Sequence, residues 1–172
     1  MPWFTPINQG FFKILMSLQE SIIKIAKSQV GIREANINNT GADIEKYQKA
    51  TWLKPSDWPW CAAFTAWVLR EAVKQSNRKD VVLCPDASAY GWEKWSKKHG
   101  WVLLDENQPA LPGDFVTFDF SHIGIVTQDL GSLINTIEGN TSPKGGRDSE
   151  TGDGVWEMQR ARPLVKTFIR IP

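Results

Sequence analysis

The sequence predicts a single α+β domain, in which helices from the first part of the chain pack on an antiparallel β-sheet formed by the second part. Up to residue 100 the apolar residues recur at helical spacing, and from residue 101 onward they alternate as they do in strands. One stretch before the strands is apolar on nearly every side, as a buried central helix is. At 172 residues the chain has the length of one domain.

The first part of the chain contains several helix-start signals. Residues 17–20, Ser-Leu-Gln-Glu, match a capping box and predict a helix from that point. A second helix is predicted over 42–50, and another begins after 86–88, Asp-Ala-Ser. Residues 1–16 are apolar but lack a clear period, so we assign them to an N-terminal extension and assign 17–172 to one domain.

The central helix is predicted within residues 57–72, DWPWCAAFTAWVLREA. Asp57 is a suitable N-cap, and Pro59 suits the first turn, where a missing N–H costs nothing. Cys61 then lies in the first turn, where the helix dipole and free N–H groups favour a nucleophilic thiolate. A single buried cysteine is also a common small core residue, so a reactive thiol requires a base elsewhere in the chain.

The second part of the chain contains six strand-like segments, at 101–104, 115–120, 123–127, 133–139, 155–162 and 166–171. Because all helices precede all strands, the sheet is expected to be antiparallel and to pack on the central helix.

His122 is the conspicuous histidine of this part, in the sequence FDFSHIGIVT. Strand alternation places His122, Gly124 and Val126 on one face. Gly124 would leave room beside the imidazole for another element, such as a helix that carries a thiol. A histidine at the start of a strand is more often structural, so its meaning depends on its neighbours.

The next segment, LINTIEGNT, supplies those neighbours. Alternation places Glu138 and Asn140 on the same face, with Gly139 between them. Either side chain can accept the imidazole N–H and fix its tautomer, which is the third role in a nucleophile–base–orienter set. Each signal alone is weak, so the case for such a set depends on the joint occurrence of a helix-start cysteine, a strand histidine and a polar orienter.

These segments resemble the CHAP family, the cysteine- and histidine-dependent amidohydrolases/peptidases, whose fold is papain-like. The resemblance lies in WCAAFTAWV around Cys61, PGDFVTFDFSHIGIVT around His122, and IEGNT. The upstream QVGIREANINNTGADIEKYQ and the later GDGVW are also similar to family members of the phage endolysin and bacterial cell-wall hydrolase type. The similarity extends from about Ser17 to the C-terminus.

The resemblance implies a role for each matching residue. Cys61 would be the nucleophile, His122 the general base, Glu138 the residue that orients it, and Asn140 a supporting hydrogen-bond partner. The backbone N–H of Cys61 is a natural oxyanion donor at its helix start. A second donor is not evident, because this chain has Trp60 where many relatives carry a polar residue.

Residues just before the cysteine also bear on substrate and metal binding. Trp60 and Asp57 are predicted to contact substrate. Some relatives bind calcium through an aspartate-rich loop here, but TWLKPSDWPWC contains only Asp57, so we predict no metal and no cofactor. The later DSETGDG, 148–154, does not fit the calcium-loop pattern and is predicted to be a solvated turn.

Composition limits the remaining function classes. With 20 basic and 19 acidic residues the net charge is +1, which predicts no nucleic-acid partner. Two cysteines make neither a disulfide framework nor a zinc site. No apolar run has membrane-spanning length, and the N-terminus shows no signal-peptide pattern. We expect a monomer made in the cytoplasm.

The resemblance implies a peptidoglycan hydrolase that cuts an amide bond of the bacterial cell wall, as an N-acetylmuramoyl-L-alanine amidase or a peptide endopeptidase. The enzyme would reach the wall through phage lysis, as a virion component or as a secreted effector. The alternatives are a cytoplasmic amidase of the same fold that acts on a small peptide-like amide, and a catalytically silent wall-binding module. The complete Cys61, His122 and Glu138 set argues against the silent module.

Overall fold

The computed structural model describes residues 16–36, 38–144 and 152–172, so the predicted extension lies, apart from Met16, outside the described residues. The helices in the described ranges are α1 (Leu18–Ser28), α2 (Ala42–Gln48), α3 (Cys61–Ser76) and α4 (Ala89–Lys98). The strands are β1 (Val102–Leu104), β2 (Phe115–Phe118), β3 (Ile123–Asp129), β4 (Leu133–Thr141), β5 (Gly154–Ala161) and β6 (Val165–Arg170).

The strands form one antiparallel sheet in the order β1-β6-β2-β3-β4-β5. Each of the six predicted strand segments overlaps one of these strands, and the four helices precede the sheet. A short 3₁₀ helix, Arg162–Leu164, connects β5 at one edge to β6 near the other. The α+β prediction is confirmed.

The sheet has two different faces. The helices cover one face, where α3 packs in a large apolar cluster that includes Ile123, Ile125 and Ile137. The opposite face has a smaller apolar cluster that includes Val126 and Ile134. Alternation along each strand therefore sends neighbouring side chains into different environments.

The start of α1 follows the predicted capping box. The Ser17 hydroxyl accepts a hydrogen bond from the Glu20 N–H at 3.1 Å, and the Glu20 carboxylate accepts one from the Ser17 N–H at 2.8 Å. These reciprocal bonds satisfy two backbone donors that the helix itself leaves unpaired.

The start of α3 differs from the prediction. The N-cap is Trp60, without a side-chain capping bond, so the prediction that Asp57 caps this helix is wrong. Tertiary contacts hold the preceding segment outside the helix: Asn39 donates to the Asp57 carbonyl at 3.0 Å, and the Gln48 amide donates to the Ser56 carbonyl at 2.7 Å. The helix consequently begins at Cys61.

Within the described ranges, no helix combines the length and the apolar character needed to cross a membrane.

Candidate active site

The thiol of Cys61 lies at the first helical position of α3, in the first turn as the sequence predicts. The residue is 5% exposed, and the helix start leaves its backbone N–H without an intrahelical partner. The second cysteine, Cys84, is also a free buried thiol, so the two form no disulfide. Burial raises the pKa of Cys84 to about 12, which makes it an inert core residue.

His122 directly precedes β3, at the end of the turn from β2. Its imidazole is 1% exposed and lies parallel to the rings of Phe118 and Phe120, with centroids 5.9 Å away in each case. Its Nε2 atom is 2.8 Å from the Glu138 carboxylate on β4. Packing and this hydrogen bond together fix the ring orientation.

The charge of His122 depends on both of its ionisable neighbours. Burial by itself lowers the imidazole pKa, but Cys61 and Glu138 outweigh burial through charge and hydrogen bonding and raise this pKa to about 9. Because Nε2 is hydrogen-bonded to Glu138, Nδ1 is the ring nitrogen that can exchange a proton with the Cys61 thiol. Nδ1 makes no hydrogen bond of ordinary geometry to a residue that the structure describes. The arrangement can therefore carry a proton between Cys61 and the imidazole.

Glu138 is completely buried and is held by four hydrogen bonds. It accepts from His122, from the Thr136 hydroxyl at 2.6 Å, and from the Arg160 guanidinium at 3.0 and 2.6 Å. Burial raises the pKa of Glu138, whereas the hydrogen bonds and charges of His122 and Arg160 lower it, to about 2. The side chain is thus a carboxylate despite its burial.

Arg160 and Thr136 were not among the residues predicted from the sequence. A signal for Arg160 was present, because Met158 and Arg160 alternate inward along β5 while Gln159 points to solvent. Alternation in the segment VWEMQRAR could have marked an arginine in a buried strand position, which requires a partner of opposite charge.

Gly124 has a different role from the predicted one. A Cβ atom at Gly124 would lie 2.7 Å from Cγ of Glu138, so the glycine makes room for this carboxylate and not for the helix. The close approach to α3 is at Gly139, where a Cβ atom would lie 2.6 Å from Cβ of Phe64 and 2.8 Å from the Trp60 ring. Gly124 therefore makes space for the Glu138 side chain, and Gly139 allows the sheet to pack closely against the start of α3.

Asn140 does not share the face of Glu138 as alternation predicted. Its φ of 54° and a register shift after Glu138 turn the chain at this point. With its amide oriented to match its neighbours, Asn140 accepts a hydrogen bond from the Trp60 N–H at 3.2 Å and donates to the Gly152 carbonyl at 3.1 Å. The residue supports the chain just before Cys61, and its membership of the catalytic set stays a prediction.

The two residues predicted to contact substrate lie in different environments. Trp60 is fully buried, stacks on Tyr47 with 5.6 Å between centroids, and donates through Nε1 to Glu34 at 2.8 Å. Asp57 is exposed and accepts a hydrogen bond from Ser56 at 2.9 Å. The substrate-binding role of each residue stays a prediction.

In the described part of the chain, no three His, Cys, Asp or Glu side chains form a group suited to a metal ion. Residues 148–151 of the predicted solvated turn lie outside the described residues. The described Asp153 pairs with Arg33 and accepts a hydrogen bond from Trp156 Nε1 at 3.2 Å.

The described site therefore consists of a buried histidine, held by a carboxylate, near a helix-start cysteine on an α+β fold. The family model of the CHAP domain matches residues 53–140, just over half of the chain. The chain belongs to the CHAP domain family. The matched range includes Cys61, His122, Glu138 and Asn140.

Two solved structures share the fold. The crystal structure of Ly7917 has a TM-score of 0.52 and 16% sequence identity, and the match covers 91% of this chain and 63% of that one. The crystal structure of Ly7917 with the hydrolyzing product of MDP has a TM-score of 0.50 and 17% identity, covering 90% and 63%. The chain thus spans less than two thirds of Ly7917. None of the curated proteins matches the sequence.

Proposed function

We propose that this protein hydrolyses an amide bond in bacterial peptidoglycan, with Cys61 as nucleophile, His122 as general base and acid, and Glu138 as the group that orients His122. The observation that carries the proposal is the 2.8 Å bond from His122 Nε2 to the buried Glu138, which leaves Nδ1 for the Cys61 thiol. Family membership supports the substrate class, and the MDP product in Ly7917 agrees with it.

The first half of the reaction forms a thioester. The Cys61 thiol gives its proton to His122, and the sulfur attacks the amide carbonyl carbon. The backbone N–H of Cys61 stabilises the negative oxygen of the tetrahedral intermediate. The C–N bond then breaks, and the departing amine takes the proton from the imidazolium.

The second half releases the acid. Water attacks the thioester carbonyl while His122 accepts a proton from it, and the C–S bond breaks to give a carboxylic acid and the Cys61 sulfur. The sulfur and the imidazolium are then in place for the next substrate. Through both halves Glu138 accepts the Nε2–H bond and so holds the tautomer whose Nδ1 accepts protons.

The surrounding residues support this machinery. Asn140 accepts a hydrogen bond from the Trp60 N–H and so fixes the backbone just before Cys61. We assign residues 17–172 to a single catalytic domain and 1–16 to an extension. Trp60 and Asp57, which precede Cys61 in the sequence, would contact substrate. The site of action in this proposal is the cell wall.

The test is mass spectrometry of purified peptidoglycan after digestion by wild type, Cys61→Ser and Cys84→Ser. We expect wild type and Cys84→Ser to release fragments and Cys61→Ser to release none. Free stem peptides would identify an amidase, and muropeptides cut within the peptide or cross-link would identify an endopeptidase. Folded, reduced wild type that leaves walls from several bacterial types intact would overturn the proposal.

A further inference from the structure

The guanidinium of Arg160 is buried beside the candidate catalytic residues, with only 6% of the side chain exposed. Its Nε donates to one Glu138 oxygen at 3.0 Å and its Nη2 to the other at 2.6 Å. Nη2 also donates to the Thr141 hydroxyl at 3.2 Å. The rings of Phe118 and Phe120 lie 5.6 and 5.7 Å from the guanidinium carbon. Arg160 is therefore a fixed element of the core.

This two-point contact determines the plane of the Glu138 carboxylate. One oxygen accepts from His122 and Arg160, and the other accepts from Thr136 and Arg160. A guanidinium fork binds a carboxylate in one orientation, whereas a point charge would let it rotate. Rotation of Glu138 would break its bond to His122, so the fork maintains the orientation of the imidazole.

Arg160 also balances the charge of the buried Glu138 carboxylate. Cys61 from α3 and Glu138 from β4 are the ionisable groups that act on His122, and His122 and Arg160 from β5 are those that act on Glu138. Each time His122 gives up its proton, Glu138 loses one positive neighbour. A lone buried carboxylate is costly, and the permanently charged guanidinium prevents that state.

We propose that Arg160 is a positioning residue of this site: its fork holds Glu138 as an oriented carboxylate while His122 gains and loses its proton. The proposal rests on the proposed function for its kinetic consequences, but not for its effect on the imidazole. Without the guanidinium, the site carries one more negative charge, and His122 binds its proton more tightly.

The kinetic test compares Arg160→Gln, Arg160→Lys and the matched control Arg170→Gln. Arg170 makes the same two-point contact with Asp114, at 2.9 and 2.7 Å, on a pair that does not include a candidate catalytic residue. We expect Arg160→Gln to lower kcat by about 10²-fold with little change in KM, because the residue is buried and acts through orientation. The pH profile should move up by about one unit.

Arg160→Lys separates charge from geometry. It keeps the positive charge but not the fork, so the pH profile should stay near that of wild type while kcat falls by about tenfold. Arg170→Gln should leave both kcat and the pH profile unchanged. Wild-type kcat in both Arg160 variants would overturn the proposal, as would a loss of kcat without any shift of the Arg160→Gln profile.

A second readout does not need the enzymatic reaction. The chain has two histidines, so NMR titration resolves His122 with His99 as an internal reference. We expect the His122 midpoint in Arg160→Gln to rise by about one unit, with the His99 signals unchanged. An unmoved His122 midpoint would overturn the inference. If wild type cut no peptidoglycan while this midpoint moved, the proposed function would fail and the role of Arg160 would stand.

Should Arg160→Gln fail to fold, Arg160→Lys carries the test, since it keeps the buried charge. A His122 midpoint near that of wild type together with lowered kcat would support the proposal. Wild-type kcat and KM in a folded Arg160→Lys would overturn it, because the fork would then be unnecessary.

Discussion

The cysteine and the histidine of the candidate site each have a counterpart elsewhere in the chain. The counterparts lie in different surroundings from those of the site residues. Inside, Cys61, His122 and Glu138 act on one another across α3, β3 and β4. Outside, Cys84 is a core thiol, and His99 ends α4 with Nδ1 2.9 Å from the Trp95 carbonyl. The chemistry of each side chain therefore depends on which neighbours the sheet and helix bring together, and not on residue type.

The largest expected difference is between the two histidines. His122→Ala removes the base, so kcat/KM for peptidoglycan cleavage should fall by about 10²–10⁴-fold. His99→Ala loses only a helix-end contact and a stack on Trp95, at 4.0 Å between centroids, and should keep activity within about twofold. Steady-state kinetics on soluble muropeptides checks both variants, and equal losses would contradict a catalytic role specific to His122.

The two cysteines should also differ strongly in their reactivity toward an alkylating reagent. Near neutral pH a thiol with a pKa of about 12 has almost no thiolate, so iodoacetamide should spare Cys84. We expect one adduct per folded chain, at Cys61, and slower labelling in His122→Ala. Peptide mapping by mass spectrometry locates the adduct. Labelling of Cys84 first, or at an equal rate, would contradict this interpretation of the two thiols.

A finer comparison concerns two glycines within the site. Gly124→Ala would push Glu138 away from His122, and a displacement of 1 Å can lower kcat by about 10²-fold. Gly139→Ala would instead overpack the contact with α3 and lower the free energy of unfolding by about 1–3 kcal/mol. Measurements of kcat and of the free energy of unfolding in urea, on both variants, test which property each glycine controls. The larger stability loss in Gly124→Ala would contradict the assignment.

The smallest effect is on stability in acid. Glu138 has a pKa of about 2 in the fold, below its ordinary 4.5, so its ionised form stabilises the protein above that ordinary value. This contribution is lost as pH falls through about 2. Glu138→Gln should therefore show a weaker fall of its urea midpoint between about pH 4.5 and 2. A slope equal to that of wild type would show that Glu138 is not ionised in the fold.

Much of the architecture could be predicted because its signals are local. The capping box at Ser17, the apolar helix with Cys61 in its first turn and the strand segments depend on residues near one another in sequence. The order of helices and strands then implied the sheet packed on α3. His122 and Glu138 could be predicted as partners because alternation places them on the same face.

Other features could not be predicted because they depend on strand register and tertiary contacts. The Asp57 cap was wrong since Asn39, distant in sequence, holds the Asp57 carbonyl. Asn140 left the predicted face because the register between β4 and β5 shifts at that point. The partner of Arg160 depends on the same pairing, which no local pattern specifies.

The central claim is that Cys61 forms a covalent bond to the substrate, and rapid acid quenching of the enzyme with soluble muropeptide tests it directly. Intact-protein mass spectrometry should show an acyl adduct that maps to Cys61, and Cys61→Ser should show neither adduct nor product. Product formation by Cys61→Ser at a wild-type rate, with no adduct on wild type, would contradict the account.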